Sequence, residues 1–400
     1  MSEVNFSNNK KKSTSLILIL GAITTIGPLA IDMYLPAFTA IAESLNASES
    51  LVQLSLTSYF IGIIFGQILY GPIVDRFGKK LPLFLGLSLF ILASILCCFV
   101  HNIHELIFLR FFQAIGACAS VIIPRALVRD IFLPQDSARV FSHLMSVMGI
   151  APILAPSLGG LILSGFDWRG IFAFLVLFGV FCLALSYLSL PQGKGADVNV
   201  KFSQTFSKYR NILRDRTFTI SAVSGGLAMA AVFGYISISP FIYLKLFNLS
   251  AQEYGFVFGA NSIFFVIAAQ INAALLKKFP LEKVLNKTLI VPAISGAILI
   301  AAGLLHPTLL TITIALGLTI TSVGAIVPNT TALALSNQSV NSGSASALLG
   351  VIQFIFATCA SFLGSKIYDG SALPLTLIVG FCGISCFLVF NFFYKQSSST

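Results

Sequence analysis

Gly71-Pro72-Ile73-Val74-Asp75-Arg76-Phe77-Gly78-Lys79-Lys80 is the stretch that decides the fold. It places two glycines, a proline, an acid and three bases between two apolar runs, Leu51 to Tyr70 and Leu81 to Val100. Each run is long enough for a helix to cross a bilayer core, which takes about 20 residues. The stretch reads as a tight loop that holds its charges at one face of a membrane.

Composition points the same way. Of 400 residues, 56% are hydrophobic and 10% charged, with a mean hydropathy of +0.93. A soluble domain carries about 25% charged residues. The surplus of apolar surface therefore makes the bilayer the solvent. Backbone groups in lipid must be satisfied within each segment, and the continuous apolar runs suit helices rather than a β-barrel. All seven cysteines fall within or at the ends of apolar runs, which argues against a disulfide framework. Lys10-Lys11-Lys12 before an apolar run mimics a secretion signal. The run is too long and lacks a small-x-small cleavage site, so an uncleaved first helix is expected.

Twelve spans are expected, at 16–36, 51–71, 81–100, 106–126, 140–163, 169–190, 217–241, 255–276, 288–305, 308–329, 344–366 and 373–394. The long polar interval 191–216 divides an N-terminal half, 1–190, from a C-terminal half, 217–400. With the N-terminus placed in the cytoplasm, the cytoplasmic segments hold 20 of the 24 lysines and arginines. The exceptions are Arg110, Arg169, Lys245 and Lys366. This asymmetry follows the positive-inside rule, puts both termini in the cytoplasm and accounts for the net charge of +10 without nucleic acid. A faint repeat links Pro124-Arg125-Ala126-Leu127 to Pro328-Asn329-Thr330-Thr331-Ala332-Leu333. Two repeat-built halves with a site between them are the architecture of a rocking transporter.

An ionisable residue inside a span costs about 2.5–3.5 kcal/mol on insertion scales and marks a functional site by default. Asp32 lies about 24 Å along the first span and Arg110 about 6 Å from the start of the fourth, which runs the other way. The two are expected at similar depth, facing one cavity and interacting directly, through Gln113 or through water. Loss of water favours the neutral carboxyl and a nearby cation favours the anion, so a modest motion could load or release a proton. The competing reading has Asp32 capping a helix end near Pro36 and Arg110 snorkelling outward.

The loop quoted first resembles the signature between helices 2 and 3 of the major facilitator superfamily (G-x-L-a-D-r-x-G-r-k), with Ile73 where leucine stands. Arg110, Gln113 and Gly116 resemble the helix-4 motif of its drug-exporting members (R-x-x-q-G-x-g), with Ala114 in place of a glycine. Helix 5, Gly149-Ile150-Ala151-Pro152-Ile153-Leu154-Ala155-Pro156-Ser157-Leu158-Gly159-Gly160, resembles the antiporter motif through Pro156, Gly159 and Gly160. Ala151 and Ala155 replace its first two glycines. Together with Ile31-Asp32-Met33-Tyr34-Leu35-Pro36, Pro124-Arg125-Ala126-Leu127-Val128-Arg129-Asp130 and Asp167-Trp168-Arg169-Gly170-Ile171-Phe172, these stretches are similar to the bicyclomycin/chloramphenicol-resistance (Bcr/CflA) branch of drug:proton antiporters. The specific motifs cover about the first 175 residues.

The resemblance implies an all-α membrane fold of two six-helix halves in the bacterial cytoplasmic membrane. It also implies a central cavity lined by helices 1, 4, 7 and 10 with parts of 2, 5, 8 and 11. Tyr34, Tyr59, Tyr235, Asn261 and Gln353 are the candidates for binding a flat, amphiphilic substrate there. Asp32, Arg110 and Gln113 are the candidates for proton coupling, and Pro152, Pro156, Gly159 and Gly160 for the antiporter helix. Gly71, Asp75, Arg76, Gly78, Lys80, Arg125, Arg129 and Asp130 are the candidate gate, with Asp75 expected to reach the Arg125–Asp130 cluster or the start of helix 11 near Ser344.

His101-Asn102-Ile103-His104-Glu105 has metal-ligand residue types but sits in a short loop with no fourth ligand, so no metal is expected. No phosphate loop or catalytic triad is present, so neither ATP hydrolysis nor another enzymatic activity is expected. The energy source would be a proton gradient, which supplies about 2.3 kcal/mol per charge per 100 mV. That corresponds to a roughly 50-fold substrate gradient. The reading is a monomeric secondary transporter with no cofactor that exports a small organic compound in exchange for protons. The alternatives are a proton-coupled metabolite exporter or symporter on the same fold, and a membrane receptor or scaffold without transport.

Overall fold

Long apolar runs punctuated by capping residues become helices. Ser48, Ser250 and Thr308 each accept a main-chain N–H at the start of a helix through the side-chain oxygen, as does Asp215. Ser250 and Glu253 form a reciprocal capping box. The computed structural model describes residues 10–131, 151–189, 209–338 and 342–394, without the side chains of 10–15, Gly71, Pro72, Asp75, 129–131, 342–343 and 393–394.

We number the helices in chain order. The first half holds α1 (Leu16–Ser44), α2 (Glu49–Phe77), α3 (Lys80–Cys97), α4 (Ile103–Ile131), α5 (Ala151–Gly165) and α6 (Arg169–Ser189). The second holds α7 (Arg216–Leu246), α8 (Ala251–Leu275), α9 (Leu281–Leu304), α10 (Leu309–Leu335), α11 (Ser342–Ile367) and α12 (Leu373–Phe392). Every one but α5 is long and apolar enough within the described residues to cross a membrane. The expected fifth span begins at 140, and its first part lies outside the described residues.

Several helices outrun the expected spans, because hydropathy marks the lipid-buried part and a helix continues through polar turns beyond it. Here the reading of Gly71–Lys80 as a loop is corrected. The helix α2 runs through Phe77, and only Gly78 and Lys79 separate it from α3. Gly78 ends it at φ +76°, a conformation that strains any residue with a Cβ.

The faint sequence repeat is explicit in the packing. In the first half α2 packs on α4, α4 on α3 and α3 on α6. In the second, α8 packs on α10, α10 on α9 and α9 on α12. The halves meet along α2 and α11, and along α5 and α8. Small residues set the close crossings: a Cβ added to Gly66 would lie 2.6 Å from the Cys118 Cβ, locking α2 to α4.

The loops after odd-numbered helices share one face of the molecule, and there the halves are joined. Lys245 pairs with Glu49, and Ser50 donates to the Ser365 carbonyl. One turn deeper, Ser361 on α11 bonds both Thr57 on α2 (2.7 Å) and Ser237 on α7 (2.8 Å). Phe38 packs on Phe241 with ring centroids 5.5 Å apart. This face is sealed.

Candidate functional site

The site begins where α1 breaks. Its regular helix ends at Asp32, and the chain continues through a turn and one 3-10 turn, Leu35–Ala37. Pro36 has no N–H to donate to the Asp32 carbonyl, so the α-helical ladder cannot continue. The break also frees the Ala30 carbonyl, which accepts nothing from Tyr34 N–H among the described residues.

Arg110 on α4 takes that free carbonyl. Its Nη1 donates to Ala30 O at 3.0 Å and to Gln113 Oε1 at 2.6 Å. Gln113 in turn donates from Nε2 to Ser94 Oγ on α3 at 2.8 Å, so its amide is committed at both ends. The guanidinium is wholly buried between two aromatic rings, Tyr34 at 4.4 Å and Tyr59 at 4.3 Å. A desolvated cation gains about 2 kcal/mol or more on an aromatic face. Arg110 therefore neither snorkels nor faces open solvent.

The expected link between Asp32 and Arg110 takes a different form. They lie at the same depth, because Arg110 holds a carbonyl two residues before Asp32. Yet they form no ion pair, and Gln113 does not bridge them. The guanidinium instead bonds the freed main-chain carbonyl and the Gln113 amide oxygen. Asp32 is 4% exposed and has no hydrogen bond or ion pair among the described residues. Tyr59 and Tyr254 lie within electrostatic range of its carboxyl.

The helix α5 fixes this arrangement. A Cβ on Gly159 would collide with the Met33 carbonyl, directly after Asp32, so the glycine lets α5 press on the break. Gly160 faces Ala251 O, with a Cβ position 3.2 Å away, and Gly255 faces Ser157 Cα at the same distance. Ser262 on α8 donates to the Pro152 carbonyl at 3.4 Å, and Pro156 borders Gly255. The Pro-x-x-Gly-Gly stretch thus touches α1 of its own half and α8 of the other.

Of the expected substrate residues, Tyr34 and Tyr59 join the Arg110 cage, with Tyr34 Oη bonded to Ser55 Oγ at 2.7 Å. Tyr235 and Asn261 form a separate group in the second half. Asn261 Nδ2 donates to Tyr235 Oη at 3.0 Å, and the Tyr235 ring stacks on Phe258. Gly317 leaves room for this amide, since a Cβ there would come 3.1 Å from Asn261 Oδ1. Gln353 stands apart beside Gly225 on α7, with Nε2 unbonded among the described residues.

Of the expected gate, the side chains of Gly71, Asp75, Arg129 and Asp130 lie outside the described residues. Arg76 is exposed over the Phe77 ring, Gly78 caps α2, and Lys80 lies over Phe84 and Tyr187. Arg125 is half-buried near Cys118. The His101–Glu105 stretch caps α4: Glu105 accepts from His101 N–H at 2.9 Å and from Asn102 Nδ2 at 2.7 Å. Ser55, Ser94, Ser239 and Tyr254 were not singled out by the sequence, since one hydroxyl in an apolar helix leaves no periodic signal. Tyr254 bonds Ser239 Oγ at 3.1 Å.

Known proteins share this architecture. The family profile described as Major Facilitator Superfamily matches residues 20–365. The uncharacterized MFS-type transporter YdgK of Bacillus subtilis (strain 168) is 33% identical over 373 residues, covering 92% of each chain. A bicyclomycin resistance protein homolog of Haemophilus influenzae is 27% identical over 392 residues, 97% of this chain and 98% of that one. The crystal structure of a bacterial homolog of the human lysosomal transporter Spinster, inward-facing and unoccupied, superposes with a TM-score of 0.76. It is 13% identical, and the match covers 97% and 99% of the two chains, which shows the shared fold. The repeat-built halves, the motifs meeting at the α1 break and these likenesses converge: the chain is a multi-pass membrane transporter of the major facilitator superfamily, in line with its Bcr/CflA branch.

Proposed function

We propose that this transporter exports small amphiphilic organic compounds across the bacterial cytoplasmic membrane in exchange for protons. Asp32 is the proton carrier, and Arg110 with Gln113 is the fixed post that holds the α1 break in place. The observation that carries the reading is a buried carboxyl without a partner among the described residues, two residues past the carbonyl that a caged arginine holds, at the break of α1. Such a carboxyl can exchange a proton without first breaking an ion pair. The bicyclomycin-resistance relative supports a drug-like substrate.

In this scheme both termini lie in the cytoplasm and the sealed odd-loop face points outward. Substrate enters from the cytoplasm between the halves, near Tyr235 and Asn261. Protonation of Asp32 and occupancy by substrate are competing states, so proton entry from outside drives substrate release. The rocking units are residues 1–190 and 217–400, joined by 191–216.

The test uses purified protein in liposomes with an imposed pH gradient, screened against amphenicols, fluoroquinolones, bicyclomycin-like compounds and cysteine. Substrate and proton fluxes in opposite directions support exchange, and parallel fluxes mean symport. Asp32→Asn should abolish proton-driven flux while the protein still inserts. Proton-coupled transport by that variant overturns the assignment.

A further inference from the structure

Far from the Asp32 site, on the opposite face from the sealed one, a cavity of about 560 Å³ opens beside the start of α7. Tyr209, Arg210, Leu213, Arg214 and Leu348 line it. Residues 209–214 form a helical turn before α7, and spacing by four puts Arg210 and Arg214 on one side of it. Ile212 anchors the turn, buried with Phe218, Ala222 and Leu349. Leu213 is left 46% exposed, and both arginines are exposed.

No acid among the described residues answers these arginines. Neither forms an ion pair or hydrogen bond among the described residues. The adjacent acid, Asp215, is already engaged: it accepts from Thr217 and Phe218 N–H and from Gln338 Nε2 at 2.8 Å. The cavity thus combines two planar cations suited to phosphate with an aromatic ring and leucines suited to acyl chain or glycerol backbone. In a bilayer-spanning protein the anionic amphiphile always present at this level is a lipid. Basic pockets beside membrane helices bind anionic headgroups.

We propose that Arg210 and Arg214 form a binding site for the phosphate of an anionic lipid, with Leu213 and Leu348 against its apolar part. The site stands independently of the proposed transport reaction. The bound lipid would tie the segment before α7 to α11, across which Ile212 already packs.

The test titrates purified full-length protein in neutral detergent with dioctanoyl phosphatidylglycerol, the matching phosphatidylcholine, or inorganic phosphate, and counts retained lipid by native mass spectrometry. The wild type is expected to retain phosphatidylglycerol at least tenfold better than phosphatidylcholine, with inorganic phosphate failing to displace it. The Arg210→Gln/Arg214→Gln variant should lose that preference, and Arg210→Lys/Arg214→Lys should keep part of it. Equal retention of the two lipids by the wild type overturns the proposal, as does an unchanged preference in the glutamine variant. Displacement by inorganic phosphate at equal concentration overturns the lipid and assigns the site to a free anion.

Discussion

Arg110 grips the main chain of α1 at Ala30, 3.0 Å away, rather than the Asp32 carboxylate two residues further on. The cation is thus engaged by the main chain at the helix break; in the proposed scheme it is a post for that break, and the acid beside it is left able to change charge. Arg110 fulfils this role through one nitrogen and one plane: Nη1 serves both Ala30 and Gln113 while the guanidinium fills the slot between Tyr34 and Tyr59, its Nε and Nη2 unbonded among the described residues.

Lysine at this position keeps the charge but has no plane to fill the slot between the two rings. Arg110→Lys should therefore lose most transport, tenfold or more, although the net charge is unchanged. Hydrogen bonds to a charged group are worth about 1.5–3 kcal/mol each. The thermal midpoint in detergent should fall accordingly, and wild-type flux with an unchanged midpoint would refute the post.

Gly159 makes a second demand on the same break. Its missing Cβ is what lets α5 lie against the Met33 carbonyl. Gly159→Val should push α1 away beside Asp32 and cost about 1–3 kcal/mol, the usual range for overpacking. Gly165→Ala near the end of α5 has open space around its Cβ and should be silent. Flux and thermal midpoint measured on both variants check the contrast.

These two residues also show what was legible in the sequence. Arg110 and Gly159 stand out because a charge or a Pro-x-x-Gly-Gly run is rare in an apolar helix, and the span count follows from hydropathy and charge asymmetry. The acceptor for Arg110 was not legible, because it is a backbone carbonyl freed only when the helix breaks. Ser94 and Ser239 were hidden for a related reason: a serine can bond its own helix, and only tertiary contact shows which one reaches across. The loop boundary at Gly71 failed because polar turns of a helix look like loop to a hydropathy scale.

In the second half, Asn261 Nδ2 depends on Tyr235 Oη as its acceptor. Tyr235→Phe leaves a buried donor unsatisfied, at about 1–3 kcal/mol. If this pair contacts the compound, the variant should change the apparent affinity for hydrogen-bonding substrates several-fold while Asp32-dependent proton flux persists. Parallel measurement of substrate affinity and proton release in liposomes separates the two. Equal loss of both would mean that the pair supports the fold or the coupling step instead.

Glu49 and Lys245 join the two halves at the rim of the sealed face. Both are partly exposed, at 21% and 43% of their side chains, so the pair is worth little to stability, on the order of 0.2–1 kcal/mol. Any such energy is lost when that face opens, and it weighs directly on the opening equilibrium. Glu49→Gln should leave the thermal midpoint nearly unchanged and shift the balance toward the open state by up to about fivefold, as 1 kcal/mol implies. The deeper hydroxyl group Thr57–Ser361–Ser237 is shielded from water and should resist more strongly. Thr57→Val together with Ser361→Ala should open the face further than Glu49→Gln alone. Distances between spin labels on the loops after α1 and α7, compared across these variants, read the equilibrium. A face that stays closed in every variant would mean that apolar packing around Phe38 and Phe241, and not this polar seam, sets the barrier.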